Sequence, residues 1–343
     1  MIPLHTPLTK SLKITTPIVC APMAFACTPA LAAEVSAAGG FGCIGAGFDS
    51  THLLREKIQE VRTRLNIAKG EPVPIAIGFI GWILDMTESS DDPRLLAILD
   101  ELPTAVWIAF GVDLDKYIDQ IQAHNKKTGR NTFIFVIVHS VEDVRRAAGK
   151  GVDAVVVQGI EAGGHGRGDV PPLFTLLQAV LNDIQSSNGG PLVLAAGGIS
   201  TGAHIASLLT MGADGVVLGT RFLFTPECEY SAAQKKVLLQ ADLGATVRTL
   251  AYDDVGRTNG WPPNFNGRAI ANEVMNDLKA GLSLEQRIEK FDESARNGED
   301  SRLVIWAGVG VGLTGEIKGA ADVLCGLHEE AVAHLQRATG LLA

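Results

Sequence analysis

Through the first two-thirds of the chain, short apolar runs alternate with longer stretches whose apolar positions recur at helical spacing. The runs cover 17–21, 42–46, 73–79, 105–110, 133–138, 154–158, 192–196 and 215–218. Little polar alternation interrupts them, which is the pattern of parallel strands buried on both faces. Between them the spacing predicts helices over 29–38, 51–65, 114–124, 141–148, 173–184 and 203–211. The boundaries agree: Thr28 precedes Pro29, Gly39-Gly40 follows that helix, and Ser140 stands before the acidic pair Glu142 and Asp143. Eight strand–helix units with right-handed crossovers predict an α/β fold, a closed (β/α)8 TIM-type barrel. An open doubly wound sheet is the alternative.

Beyond residue 225 the alternation stops. Residues 226–300 are more polar and show no clear strand. They hold a turn-rich aromatic segment at 261–267 and helical spacing over 268–280 and 284–291. The expectation is a smaller, mostly helical subdomain on the substrate side. An apolar, glycine-rich run at 304–315 leads to a helix over 320–337, and both are expected to pack back on the barrel. The expected division is a barrel from 1–225 completed by 301–343, with 226–300 as the subdomain.

Composition narrows the class. At 343 residues, 46% hydrophobic and 20% charged, the chain can bury a sizeable core. A net charge of -9 without a Lys/Arg cluster argues against nucleic acid as a partner. The five cysteines include no Cys-x-x-Cys pair, so neither a zinc or other metal site nor a disulfide framework is expected. No apolar run approaches the roughly 18 residues a membrane span needs, and the first residues lack a secretory pattern. The expected setting is cytoplasmic, with a small molecule as partner and a homo-oligomer compatible with the chain.

In such a barrel the chemistry sits at the carboxyl ends of the strands. After the sixth run comes Gln158-Gly159-Ile160-Glu161-Ala162-Gly163-Gly164-His165-Gly166-Arg167-Gly168. His165, flanked by residues without side chains, is open to a ligand, and imidazole can take a proton from a carbon acid near neutral pH. The bland alternative is a turn histidine bonded to a nearby carbonyl. After the seventh and eighth runs come Gly197-Gly198 and Gly219-Thr220. Their amides and the Thr220 hydroxyl suit a phosphate-bearing ligand such as flavin mononucleotide (FMN). After the first run, Ala21-Pro22-Met23-Ala24 could lie along a flat isoalloxazine edge. Neither a Walker sequence nor a Rossmann glycine signature occurs on the first strand.

These motifs, in this order, resemble the nitronate monooxygenase (2-nitropropane dioxygenase) family. The matching segments are Pro17 to Ala24, Leu31 to Glu34 leading to 38–42, Gln158 to His165, Ala195 to Ile199, and Gly219-Thr220-Arg221-Phe222, with a fainter echo at Trp306 to Gly312. The resemblance implies an oxidoreductase that binds FMN non-covalently and oxidises alkyl nitronates with O2 to a carbonyl compound and nitrite. It implies His165 as the catalytic residue. It implies phosphate contacts at Gly163, Gly164, Gly197, Gly198, Gly219 and Thr220, and flavin-ring contacts at Pro22, Met23, Ala24 and Gln158. Some relatives carry an Asn near the end of the third strand and a Lys at the end of the fifth. Here those places read Gly78-Phe79-Ile80-Gly81-Trp82 and Ile137-Val138-His139-Ser140, so any positive charge near the flavin must come from His139, Arg221 or elsewhere. Two competing readings are an NAD(P)H-dependent FMN reductase acting on quinones or enoyl thioesters, and a flavin-free barrel for a phosphorylated metabolite.

Overall fold

A computed structural model describes residues 2–185 and 190–342. Eight parallel strands form the central sheet: β1 (Ile18–Cys20), β2 (Gly42–Gly45), β3 (Val73–Ile80), β4 (Pro103–Ala109), β5 (Phe133–Val138), β6 (Ala154–Gln158), β8 (Leu192–Ala196) and β9 (Gly215–Leu218). Their order is β1-β9-β8-β6-β5-β4-β3-β2. A parallel bridge between Val19 and Phe41 joins the two ends and closes the barrel. All eight predicted strands are present, and the closed form prevails over the open sheet.

Alternate residues along each strand face two different cores. Phe135, Trp107, Val156, Leu194 and Val217 fill the barrel interior. Their neighbours Ile134, Val136, Val106 and Val155 pack outward against the helices. The helix Pro7–Leu12 plugs the amino-terminal end, its Leu8 and Leu12 joining the interior cluster. The last long helix, Ala320–Thr339, packs on Gly202–Met211 and on Pro29–Ala37, so it does return to the barrel. Glu330 fastens it by accepting a bond of 2.8 Å from the Gly202 amide. No helix among the described residues is long and apolar enough to cross a membrane.

The segment 226–300 departs from the sequence reading. It holds four α-helices among the described residues, but also two strands where none was expected: β10 (Thr246–Thr249) and β11 (Phe265–Ile270). β11 occupies the start of the helix expected over 268–280, which begins only at Glu273. The partner of β11 lies nearly a hundred residues earlier. It is β7 (Gly164–Arg167), inside the glycine-rich stretch read as a loop. β10, β11 and β7 form an antiparallel sheet, with His165 opposite Gly267. A strand of sequence Gly-His-Gly-Arg has no apolar alternation to reveal it. Its stability comes from backbone pairing with a distant partner, which local pattern does not encode.

Candidate active site

The barrel's carboxyl end opens into a cavity of about 220 Å³. Every residue assigned from the sequence to catalysis or cofactor contact lines it: Pro22, Met23, Ala24, Gln158, Gly163, Gly164, His165, Gly197, Gly198, Gly219 and Thr220. The turn at 22–24 fits because glycines stand beneath it. A Cβ on Gly78 would lie 2.4 Å from Pro22 Cβ, and one on Gly45 would lie 2.6 Å from the Ala24 nitrogen.

The opposite wall is built from bare backbone. Gly197 and Gly198 have φ of 111° and 69°, conformations that favour glycine. Gly163 meets Gly308 so closely that a Cβ on it would lie 2.3 Å from the Gly308 nitrogen. The same Gly308 amide donates to the Thr220 hydroxyl oxygen at 2.9 Å, which leaves the Thr220 proton free to donate. Gly308 and Gly310 also line the cavity, so the echo noted around Trp306 to Gly312 belongs to the site. Glu161 plays a supporting part. Its carboxylate accepts from the Leu173 amide at 3.0 Å, capping the next helix from outside it.

His165 sits between lid and barrel with its side chain 11% exposed. Its Nε2 donates to Asp253 Oδ1 at 2.8 Å. Trp261 stacks on the imidazole with ring centres 3.5 Å apart and planes within 5°, and Trp306 closes a second side at 4.7 Å. Gly267 makes this possible, because a Cβ there would lie 2.2 Å from the Trp306 ring. Asp253 is fully buried, and its Oδ1 also accepts from the Thr258 hydroxyl at 2.9 Å and from Trp261 Nε1 at 3.0 Å. It lies in the first turn of the helix Ala251–Gly256, where a carboxylate suits the helix dipole.

Burial pushes the His165 pKa below the ordinary imidazole value. Asp253 opposes that shift and the Arg248 charge adds to it. His139, at the end of β5, is buried and its pKa is driven down to about 4, chiefly by desolvation. It is therefore neutral near pH 7 and supplies no positive charge there, while its Nε2 donates to Gln158 Oε1 at 2.8 Å. Arg221 is also buried but is not among the cavity-lining residues. The cation nearest this region from the lid is Arg248 on β10. A Cβ on Gly166 would touch both Arg248 Nη2 and Gln158 Oε1. Burial, helped by the Arg268 charge, lowers the Arg248 pKa to about 10.

Sequence reasoning missed Asp253, Thr258, Trp261 and Trp306. The aromatic segment at 261–267 was noticed, but only as a turn. The one local signal available was an acid in a first helical turn, Asp253-Asp254, and that pattern is common on ordinary surfaces.

The fold and this cavity define an α/β barrel with its candidate site at the carboxyl ends of the strands. The chain belongs to the nitronate monooxygenase family: the sequence model of that family matches residues 5–330. It is 33% identical to a nitronate monooxygenase of Neurospora crassa over 93% of this chain and 90% of that one. It is 32% identical to a nitronate monooxygenase of Metarhizium robertsii over 93% and 91%. Among solved structures, FabK of Thermotoga maritima superposes with a TM-score of 0.79 at 26% identity, covering 98% of this chain and 99% of that chain. Nitroalkane oxidase of Streptomyces ansochromogenes shares the fold with a TM-score of 0.75 at 24% identity, over 96% and 99%. The family's chemistry, oxidation of nitronates, is therefore this chain's chemistry at the level of class.

Proposed function

We propose that the protein is an FMN-dependent enzyme that converts alkyl nitronates and O2 into carbonyl compounds and nitrite. One observation carries the reading: a single imidazole, His165, faces a cavity whose far wall is bare glycine backbone from the loops after the last three barrel strands. The residues present fit the cofactor. Amides of Gly163, Gly164, Gly197, Gly198 and Gly219, with the Thr220 hydroxyl, would hold its phosphate, for which neutral donors at strand ends are well suited. Gly164 keeps the approach open, since a Cβ on it would meet nothing within 4 Å. Pro22, Met23, Ala24 and Gln158 would border its ring. When bound, FMN supplies the electron acceptor for the nitronate carbon.

The chain's own residues do the rest. Toward a neutral nitroalkane, His165 takes the proton on the carbon bearing the nitro group. The C–H electron pair stays on the substrate and delocalises into the nitro group, giving the nitronate. Trp261 and Trp306 exclude water from the imidazole. The protein's partners are the small molecule and O2, a homo-oligomer is compatible with the chain, and the setting is cytoplasmic.

The test is the visible spectrum of the purified protein, followed without oxygen. A yellow protein bleached by ethyl nitronate and indifferent to NADH and NADPH supports the proposal. Bleaching by a nicotinamide alone points to the reductase, and a colourless protein that takes up no FMN points to a flavin-free barrel.

A further inference from the structure

Asp253 is an expensive residue to keep where it is. Its carboxylate is wholly withdrawn from water, and Oδ2 has no hydrogen-bond partner among the described residues. Oδ1 instead gathers three donors: His165 Nε2, the Thr258 hydroxyl and Trp261 Nε1. Two of these belong to the pair of stacked rings beside the cavity. A carboxylate accepts and does not donate, so the nitrogen facing it must carry the proton. No hydrogen bond engages the other ring nitrogen among the described residues, and it is absent from the sealed, unpartnered atoms.

We propose that Asp253 is the positioning residue of the reaction: it holds His165 as the Nε2–H tautomer, so that Nδ1 presents the lone pair to the substrate. The inference rests on His165 being the base. Trp261, flat against one face, and Trp306, leaning on another side, hold the plane of the ring, and the flip that would offer Nε2 instead would break its bond to Asp253. After Nδ1 takes the substrate proton, the imidazolium has Asp253 as its counter-charge. The remaining charged group that acts on the ring is Arg248, from β10, and the barrel side offers the neutral Gln158. Four elements therefore converge on one imidazole: β7 carries it, the helix Ala251–Gly256 fixes its tautomer, and the segments bearing Trp261 and Trp306 fix its plane.

The experiment uses the flavin-loaded enzyme labelled with 15N-histidine, with the His165 signals assigned by their loss in His165→Gln. The wild type is expected to show protonated Nε2 and bare Nδ1 at pH 8. In Asp253→Leu no acceptor faces Nε2, and the proton is expected to move to Nδ1. With nitroethane, kcat/KM of this variant should fall by about 10²-fold or more, the scale of a lost general base. Oxidation of preformed ethyl nitronate should change by less than about threefold, since no proton abstraction is required. A merely structural role would lower both substrates and flavin content together. Protonated Nδ1 in the wild type overturns the proposal, as does a variant that keeps the wild-type nitroethane rate and pH profile. If Asp253→Leu does not fold, the wild-type spectrum alone decides. If the wild type oxidises ethyl nitronate but never deprotonates nitroethane, the base role of His165 falls, and the spectrum still judges the tautomer.

Discussion

The two walls of the cavity are built on opposite principles. The barrel wall presents backbone: glycines at 163, 197, 198 and 219, on the loops that follow parallel strands packed on both faces. The lid wall presents side chains: His165, Trp261 and Trp306 with the buried Asp253 behind them, brought together by an antiparallel sheet of three short strands. The barrel wall should govern whether a phosphorylated cofactor stays, and the lid wall what happens to the substrate. Variants can separate the two.

The largest effect is expected at the lid. His165→Ala should slow reduction by a neutral nitroalkane by about 10²- to 10⁴-fold, the range of general-base catalysis, while ethyl nitronate keeps most of its rate and the flavin stays bound. Stopped-flow bleaching with the two substrates measures this, and equal losses on both would break the division. The complementary cut is Gly198→Asp. It puts a carboxylate beside the phosphate site, at φ of 69° and with its Cβ 3.0 Å from Glu161 Cβ. Flavin content after purification should drop severalfold, and unchanged content would show that this wall does not hold the phosphate.

A third variant probes the seam between the walls. Gly163→Ala forces a Cβ against the Gly308 backbone and should cost about 1–3 kcal/mol, read as a lower Tm in the flavin-free protein. The pH profiles sharpen the contrast further. Because burial lowers the His165 pKa, the acid limb of kcat/KM for a neutral nitroalkane should lie below the ordinary imidazole range near 6.5. His139 affects stability instead. Its folded pKa of about 4 is below the unfolded value, so the unfolded chain binds the extra proton between the two. Its stabilising contribution is complete above pH 6.5 and is lost as pH falls through that window. The loss amounts to about 3 kcal/mol at pH 4. Urea unfolding of His139→Leu should lack that part of the pH dependence.

The same contrast explains how much could be read in advance. All eight barrel strands lay in the sequence as apolar runs, because a strand buried on both faces must be apolar along its length. The glycine wall was equally plain, since its residues announce themselves locally. The lid was not. β7 is four residues of glycine, histidine and arginine, and β11 passes through a stretch whose spacing also suits a helix. Asp253 meets His165 across 88 positions of chain, through a ladder that neither segment displays alone. His139 looked like a candidate cation for the flavin; its burial against Gln158, invisible in the sequence, makes it neutral.

β7 belongs by sequence to the crossover between two barrel strands, yet every one of its ladder bonds is made with the lid. During synthesis the proposed base, His165, therefore emerges well before the strand that will seat it. A chain that has closed its barrel but not yet docked residues 246–270 would own a cofactor cradle and no working base. On the proposed reading, a closed barrel is chemically idle until those residues dock, and idle again if they come away.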